Sequence, residues 1–307
     1  MTISFENRVA IVTGAGGGLG RAYALELARR GAKVVVNDIG GARDGTGHSD
    51  AALKVVEEIE QIGGAAMSNG GDVAEFAQME EMVAKAKEKF GGVHILINNA
   101  GILRDKSFAK MTMEDFELVV KVHLIGSANC TKAVWETMRE QNYGRILMTA
   151  SSTGLFGNFG QANYGAAKLG LAGLTKTLYL EGAKNNIRVN TLSPVAGTRM
   201  TEDLGMPDDF FQALSPENVA PAVLYLVSED APTNMIIGAG AGAYQAAYVT
   251  LTPGVALPPE ERTPEGIAAH WNEIIDRTGE IVPQSGREQS GMVVAALAKI
   301  GQTLTRR

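Results

Sequence analysis

The chain has 307 residues and a formal net charge of −6, with 45% apolar and 20% charged residues. This composition is typical of a globular protein with a sizeable core, and the negative charge argues against a nucleic-acid binder, because neutralising phosphates requires a basic face. Cys130 is the only cysteine, and His48, His94 and His270 have no partners at ligand spacing, so we expect neither a disulfide framework nor a metal site.

Short β-branched segments alternate with longer amphipathic segments through most of the chain. We predict buried parallel strands over residues 9–13, 33–38, 94–98, 145–149 and 187–192. The segments between them predict helices over residues 18–30, 50–62, 75–90, 113–141 and 163–184. Repeated strand–helix–strand units predict an α/β fold, a Rossmann-like doubly wound parallel sheet with helices on both faces.

The composition changes near Gly238. Gly238-Ala-Gly-Ala-Gly-Ala-Tyr is followed by Thr252-Pro-Gly and Leu257-Pro-Pro, and we interpret these segments as breaks between regular elements rather than as helices or strands. Two further helices are predicted over residues 263–277 and 288–300. We therefore divide the chain into a main domain, residues 1–240, and a C-terminal helical extension, residues 241–307.

A glycine-rich turn joins the first predicted strand to the first predicted helix. It carries Gly14, Gly18 and Gly20, with Leu19 between the last two. Glycine permits a tight turn and lets the backbone approach a pyrophosphate, and the helix N-terminus attracts the negative charge. A merely flexible glycine loop is the alternative interpretation.

Asp38 closes the second strand about twenty residues further on, which favours a dinucleotide site. A carboxylate there accepts hydrogen bonds from both ribose hydroxyls and repels a 2′-phosphate, so NAD is favoured over NADP. Arg21 and Arg43 are the side chains that could meet a phosphate instead. A second glycine loop, residues 40–47, lacks the Gly-Lys-Ser/Thr ending of a P-loop, and we interpret it as a mobile rim of the adenosine pocket.

Tyr164 precedes Lys168 by four residues, one helical turn, so both side chains lie on one helix face. A lysine beside a phenol favours the phenolate, which would make Tyr164 a general base. Ser151, thirteen residues earlier, would orient a substrate oxygen toward Tyr164. Turn chemistry is the alternative for Ser151, and Ser152 lies one residue out of register.

These motifs, with Asn98-Asn-Ala-Gly101 between them in the chain, resemble the short-chain dehydrogenase/reductase family, enzymes that act on CH–OH donors with a nicotinamide cofactor. The resemblance implies that residues 1–240 form the catalytic domain. It also implies cofactor contacts along the turn and on later strands, with Tyr164 and Lys168 taking part. The implied residues are Gly14, Gly18, Leu19, Gly20, Asp38, Asp72, Val73, Asn99, Ala100, Gly101, Val195 and Thr198. Asp72 could instead simply cap the helix that begins near residue 75.

His123 departs from the family pattern. The catalytic asparagine of the family begins an Asn-x-x-Gly stretch, and here that stretch is His123-Leu-Ile-Gly126. His123 either replaces the asparagine in positioning a water for proton exit or is an ordinary core histidine.

Further motifs, among them Val122-His-Leu and Gly157-Asn-Phe-Gly-Gln-Ala-Asn-Tyr164, resemble the (3R)-hydroxyacyl-CoA dehydrogenase units of multifunctional β-oxidation enzymes. Thr263-Pro-Glu and Pro283-Gln-Ser extend this resemblance into the C-terminal region. It implies NAD-dependent oxidation of a (3R)-3-hydroxyacyl-CoA to the 3-oxoacyl-CoA by a free-standing dehydrogenase. The alternatives are a hydroxysteroid or other secondary-alcohol dehydrogenase, and a non-catalytic NAD-binding module.

The resemblance also implies a homodimer that pairs the helices of residues 113–141 and 163–184 across a two-fold axis. The extension carries apolar residues at helical spacing, which we expect to pack over the partner and its substrate cleft, or else against their own subunit. No signal peptide, stretch of about twenty apolar residues or Ser-Lys-Leu ending is present, so we expect a cytoplasmic protein without membrane association.

Overall fold

The computed structural model describes residues 2–197 and 213–302. The chain divides into two compact units, Met1–Ala246 and Ala247–Arg307. The first unit is built on an eight-stranded sheet with the strand order β3-β2-β1-β4-β5-β6-β7-β8, in which β1 to β7 are parallel. The strands are β1 (Val9–Thr13), β2 (Lys33–Asn37), β3 (Ala65–Asn69), β4 (Ile95–Asn98), β5 (Gly144–Thr149), β6 (Ile187–Pro194), β7 (Ile236–Gly240) and β8 (Ala243–Ala247).

Helices connect these strands and cover both faces of the sheet. They are α1 (Gly18–Arg29), α2 (Ala51–Gln61), α3 (Phe76–Phe90), α4 (Met113–Val120), α5 (Gly126–Gln141), α6 (Ser152–Phe156), α7 (Ala162–Gly182) and α8 (Ala220–Leu226). Apolar side chains of α1, α2 and α8 pack on one face with Ala10 and Val12 of β1. Those of α3, α5 and α7 pack on the other face with Ile11, because successive strand residues point to opposite sides. The predicted doubly wound α/β fold is confirmed.

The sequence analysis does not predict three of the described strands, β3, β7 and β8. The residues of β3, Ala-Ala-Met-Ser-Asn, include none of the β-branched or aromatic types that mark a strand. The interpretation of the glycine-rich segment near Gly238 as a break between regular elements is wrong, because this segment forms β7 and β8. They are joined by Ala241 and Gly242, whose positive φ values of 49° and 78° suit a two-residue hairpin turn.

The predicted helix over residues 113–141 is interrupted. α4 ends at Val120, a π-helical turn runs from Lys121 to Ile125, and α5 begins at Gly126. A side chain at Gly126 would meet Val73, since an added Cβ would lie 2.7 Å from a Val73 methyl carbon. The turn carries His123 at its centre, and π-turns of this kind are frequent at functional sites.

The second unit contains α9 (Pro264–Ala269), α10 (Trp271–Ile274) and α11 (Gly286–Lys299). The helix predicted over residues 263–277 is therefore broken at His270, whose two ring nitrogens lie 3.1 Å from Glu261 and 3.0 Å from Glu273. Across the described ranges, no helix is long and apolar enough to cross a membrane.

Candidate active site

The glycine turn after β1 leaves no room for side chains. Gly14 has a φ of +62°, and a Cβ there would lie 2.7 Å from the Cα of Ala100. A Cβ on Gly20 would lie 2.3 Å from the carbonyl oxygen of Gly14. The Asn99 amide donates to the carbonyls of Thr13 and Gly14 at 3.0 and 3.1 Å, which ties the end of β4 to the turn. This bare backbone at a helix N-terminus fits a pyrophosphate.

Asp38 follows β2 and faces the turn. Its carboxylate accepts hydrogen bonds from the backbone N–H groups of Gly16, at 2.8 Å, and Gly40, at 2.6 Å. A carboxylate has about four acceptor positions, so two bonds leave capacity for the two hydroxyls of a ribose. A Cβ on Gly16 would lie 2.8 Å from an Asp38 oxygen, so this position of the turn also requires glycine.

One cleft unites most of the predicted cofactor residues. Its lining includes Gly14, Gly18, Leu19, Asp38, Asp72, Val73, Asn99, Ala100 and Gly101. Asp72 also accepts a bond from the backbone N–H of Ala74 at 2.8 Å, in the turn before α3, so its side chain serves the local turn as well as the cleft wall. The rim loop, residues 40–47, contributes Gly41, Ala42, Arg43 and Gly45 to the same cleft.

Gly20 and Val195 are not part of that lining. Gly20 is buried in the first turn of α1, beneath Gly14. Val195 follows β6 and is half exposed, and its backbone N–H donates to Ala239 of β7 at 2.8 Å. The predicted cofactor residue Thr198 lies outside the described residues.

The two arginines that could attract a 2′-phosphate differ in their surroundings. Arg21 forms a bidentate ion pair with Glu58, and the Nε–Oε1 distance is 3.0 Å. That pairing satisfies its guanidinium away from the cleft, whereas Arg43 lines the cleft. Arg43 is therefore the arginine that shares the cleft lining with Asp38.

Tyr164 and Lys168 lie one turn apart on α7. The Lys168 ammonium is 5.5 Å from the centre of the Tyr164 ring and donates to the carbonyl of Thr149 at 2.5 Å. Only 3% of Lys168 is exposed, and burial lowers its pKa from 10.5 to about 7. Burial also raises the pKa of Tyr164 to about 12, the opposite of the expected lowering, because loss of solvent outweighs the stabilisation from a hydrogen bond with Ser151.

Ser151 sits at the junction of β5 and α6. Its hydroxyl caps α6 by accepting a bond from the Thr153 N–H at 3.2 Å, and it also bonds Tyr164. The turn interpretation therefore applies to Ser151, and the same turn brings the hydroxyl to the phenol, as the predicted substrate-orienting role requires. Ser152 is exposed.

His123 lies between the cleft and Tyr164. Its ring meets the Tyr164 ring edge to face, with centres 5.1 Å apart. Nε2 lies 3.1 Å from the backbone nitrogen of Ile102 and 2.8 Å from its carbonyl oxygen, while buried Nδ1 has no hydrogen-bond partner among the described residues. Burial and the nearby Lys168 charge lower the pKa of His123 well below its usual range, so the ring is neutral.

Two residues that support the site were not singled out from the sequence. The Thr13 hydroxyl accepts bonds from the N–H groups of Asn99 and Ala100, at 3.0 and 3.1 Å, and so shapes the Asn-Asn-Ala-Gly loop. Asn163, directly before Tyr164, is fully buried. An asparagine in the first turn of an apolar helix is a signal for such a role, but it does not identify the partners.

Comparisons with known proteins agree with this geometry. The family profile described as short chain dehydrogenase matches residues 8–207. Peroxisomal multifunctional enzyme type 2 of Mus musculus is 48% identical over 97% of this chain and 40% of its own length, so the chain spans less than half of that relative. A short-chain type dehydrogenase/reductase of Mycobacterium tuberculosis is 49% identical over 89% of this chain and 96% of its own length.

Solved structures show the same likeness. Full-length peroxisomal multifunctional enzyme type 2 from Drosophila melanogaster matches 97% of this chain and 51% of its own, with 38% identity and a TM-score of 0.82. A 7α-hydroxysteroid dehydrogenase in complex with NADH and 7-oxo glycochenodeoxycholic acid matches 78% of this chain and 95% of its own, with 29% identity and a TM-score of 0.70. The chain belongs to the short-chain dehydrogenase family and is an oxidoreductase of CH–OH donors.

Proposed function

We propose that the protein oxidises a (3R)-3-hydroxyacyl-CoA to the 3-oxoacyl-CoA with NAD, and that the reaction is reversible. The observation that carries the proposal is the grouping of Ser151, Tyr164 and Lys168 beside a cleft in which the Asp38 carboxylate faces the glycine turn. Relatives named as peroxisomal multifunctional enzymes and as a hydratase-dehydrogenase-epimerase support the acyl-CoA substrate class.

In this proposal the glycine turn, Asp38 and Asn99 hold the dinucleotide, and Lys168 bonds its nicotinamide ribose. When bound, the oxidised nicotinamide would supply a hydride acceptor for the carbinol carbon and a positive charge that would favour the phenolate of Tyr164. NAD is preferred because the Asp38 carboxylate repels a 2′-phosphate and the Arg21 guanidinium is paired with Glu58.

Tyr164 accepts the hydroxyl proton of the substrate during oxidation and returns it during reduction. Ser151 donates to the substrate oxygen and holds it against the phenol. Because burial raises the pKa of Tyr164 to about 12 in the protein alone, the phenol is protonated near neutral pH. We therefore expect reduction to proceed readily near neutral pH and oxidation to rise with pH.

His123 contributes to this machinery as a neutral ring beneath Tyr164. Its Nδ1, which has no partner in the part of the chain that the structure describes, is a buried polar atom suited to a water molecule on the path by which the proton leaves. The bond between Nε2 and the backbone of Ile102 fixes the orientation of the ring. An ordinary core histidine remains the alternative.

We further propose a cytoplasmic homodimer in which the extension, residues 241–307, covers the partner's substrate cleft. Several apolar residues of the second unit are exposed in the single chain, as an interface requires. They are Ile267, Trp271, Ile275, Val293, Val294 and Ile300.

The test is turnover of a panel of (3R)-3-hydroxyacyl-CoAs of increasing chain length against hydroxysteroids, each with NAD and with NADP. We expect the acyl-CoAs with NAD to give the highest kcat/KM. Faster oxidation of steroids would favour the second candidate, a hydroxysteroid dehydrogenase, which the matched structure of a 7α-hydroxysteroid dehydrogenase supports. Binding of NADH without turnover of any substrate would indicate a non-catalytic module.

A further inference from the structure

Asn163 is the residue before Tyr164 and has no exposed surface. Its side-chain oxygen accepts a hydrogen bond from the backbone N–H of Tyr164 at 2.7 Å. Its amide nitrogen donates to the carbonyl of Arg104 at 3.1 Å and to the carbonyl of Asp115 at 3.4 Å. Both amide protons and one acceptor position are thus committed to backbone groups of three separate segments.

The two carbonyls that receive these bonds are themselves held in place. The Asp115 carboxylate lies 3.1 Å from the guanidinium of Arg104 and 3.4 Å from the ammonium of Lys106, which joins α4 to the loop after β4. Thr112 caps α4 by accepting a bond from the Asp115 N–H at 3.2 Å. Asn163 therefore bonds the start of α7 to the loop after β4, which these ion pairs hold in place.

A second contact secures the same junction from the side of Ser151. Gln161 donates to Asp105 at 2.7 Å and accepts from the hydroxyl of Thr153 at 2.9 Å. Thr153 lies in α6, which the Ser151 hydroxyl caps. The first turn of α7 is consequently bonded to the loop after β4 and to the helix that begins at Ser151.

We propose that Asn163 is a positioning residue that sets the Tyr164 hydroxyl against Ser151 and the substrate oxygen by fixing the first turn of α7. The inference rests on the proposed function of Tyr164 as the base. Lys168, one turn further along the same helix, is held separately by the Thr149 carbonyl. Loss of Asn163 therefore displaces the phenol more than the ammonium.

The chain offers a matched control in Asn190 of β6. Asn190 is also fully buried, and its amide donates to the carbonyls of Leu226 and Pro232 at 3.2 and 2.7 Å. Its side-chain oxygen accepts from the backbone N–H of Met235 at 3.1 Å. Asn163→Ala and Asn190→Ala thus lose the same kinds of bond at the same burial, and only one of them lies beside Tyr164.

The experiment compares these two variants and Tyr164→Phe with the wild type, using (3R)-3-hydroxybutyryl-CoA and NAD. We expect Asn163→Ala to lower kcat by at least about tenfold more than Asn190→Ala, because a displacement of about 1 Å in a catalytic group costs up to about a hundredfold. The KM for NAD should stay within about twofold of the wild-type value. The pH at half-maximal oxidation should rise only in Asn163→Ala, because the phenol loses the bond from Ser151 that lowers its pKa.

Equal kcat losses and unshifted pH profiles in the two asparagine variants would overturn the positioning role. If Asn163→Ala does not fold, Asn163→Asp carries the test: it keeps the shape and the acceptor but loses the donated bonds, and a wild-type kcat and pH profile would refute the inference. Tyr164→Phe separates the failure of the proposed function from the failure of the positioning role. Retained turnover in Tyr164→Phe would refute the proposed function. An inactive Tyr164→Phe, together with equal kcat losses in the two asparagine variants, would refute the positioning role alone.

Discussion

Lys168 is the residue for which stability and activity are expected to oppose each other most clearly. Its ammonium is buried, and its pKa falls from 10.5 to about 7. At about 1.4 kcal/mol for each pH unit, keeping the lysine charged below pH 7 costs the fold up to about 5 kcal/mol relative to an exposed lysine. Lys168→Met keeps a long apolar stem and removes this cost, at the loss of about 1 kcal/mol for the bond to the Thr149 carbonyl.

The sign follows from proton binding. Between about pH 7 and 10.5 the unfolded lysine holds a proton that the folded lysine has released, so the free energy of unfolding of the wild type rises with pH across that window. Lys168→Met lacks this rise. We therefore expect the variant to be more stable by up to about 4 kcal/mol near pH 6, and the advantage to vanish near pH 10. Turnover should be lost at every pH.

Urea unfolding of the cofactor-free protein at about pH 6, 8 and 10 measures the effect. Lys87→Met, at an exposed lysine on α3, is the control for removing a positive charge and should follow the wild-type curve. Parallel curves of stability against pH for the wild type and Lys168→Met would refute the reasoning, since they would mean that Lys168 keeps its ordinary pKa in the fold.

Four further outcomes test the proposed site. Tyr164→Phe keeps the ring against His123 but should lose almost all kcat while NAD still binds; turnover within about tenfold of wild type, about 1.4 kcal/mol of barrier, would contradict the assignment. Asp38→Ala should raise the KM for NAD and narrow its advantage over NADP, and an unchanged ratio would place selectivity elsewhere, with Arg43 the next candidate. His123→Leu should lower kcat by about tenfold with the fold intact, and a wild-type rate would make His123 a core residue only. Truncation after Gly254 should weaken the dimer and impair long-chain substrates most, whereas an unaltered dimer and substrate profile would exclude the interface role.

The sequence predicted the parts of the fold that depend on local chemistry. The turn from Gly14 to Gly20, and the strands rich in valine and isoleucine, are recognisable because backbone geometry and burial restrict the residue types allowed there. β3 and the β7–β8 hairpin were missed, since their stability comes from pairing with neighbouring strands rather than from their own residues. The sheet imposes the strand conformation on Ala65–Asn69.

In the candidate site, too, the features set by local sequence could be predicted and those set by distant contacts could not. Tyr164, Lys168 and Ser151 could be grouped from spacing, because helix periodicity brings the first two together. The direction of the shift in the Tyr164 pKa could not be predicted, since it depends on how far the surrounding elements exclude water. The role of Asn163 likewise depends on carbonyls at Arg104 and Asp115, which are distant in the chain.

The close approach of Gly101 and His123 restricts how this site can change. A Cβ on Gly101 would lie 2.2 Å from Cε1 of His123, although the backbone of Gly101 does not itself require glycine. The two positions therefore form an epistatic pair, in which alanine at 101 is tolerated only after the imidazole has been replaced by a smaller side chain. Mutational changes in this part of the cleft therefore have a fixed order, with position 123 changing first.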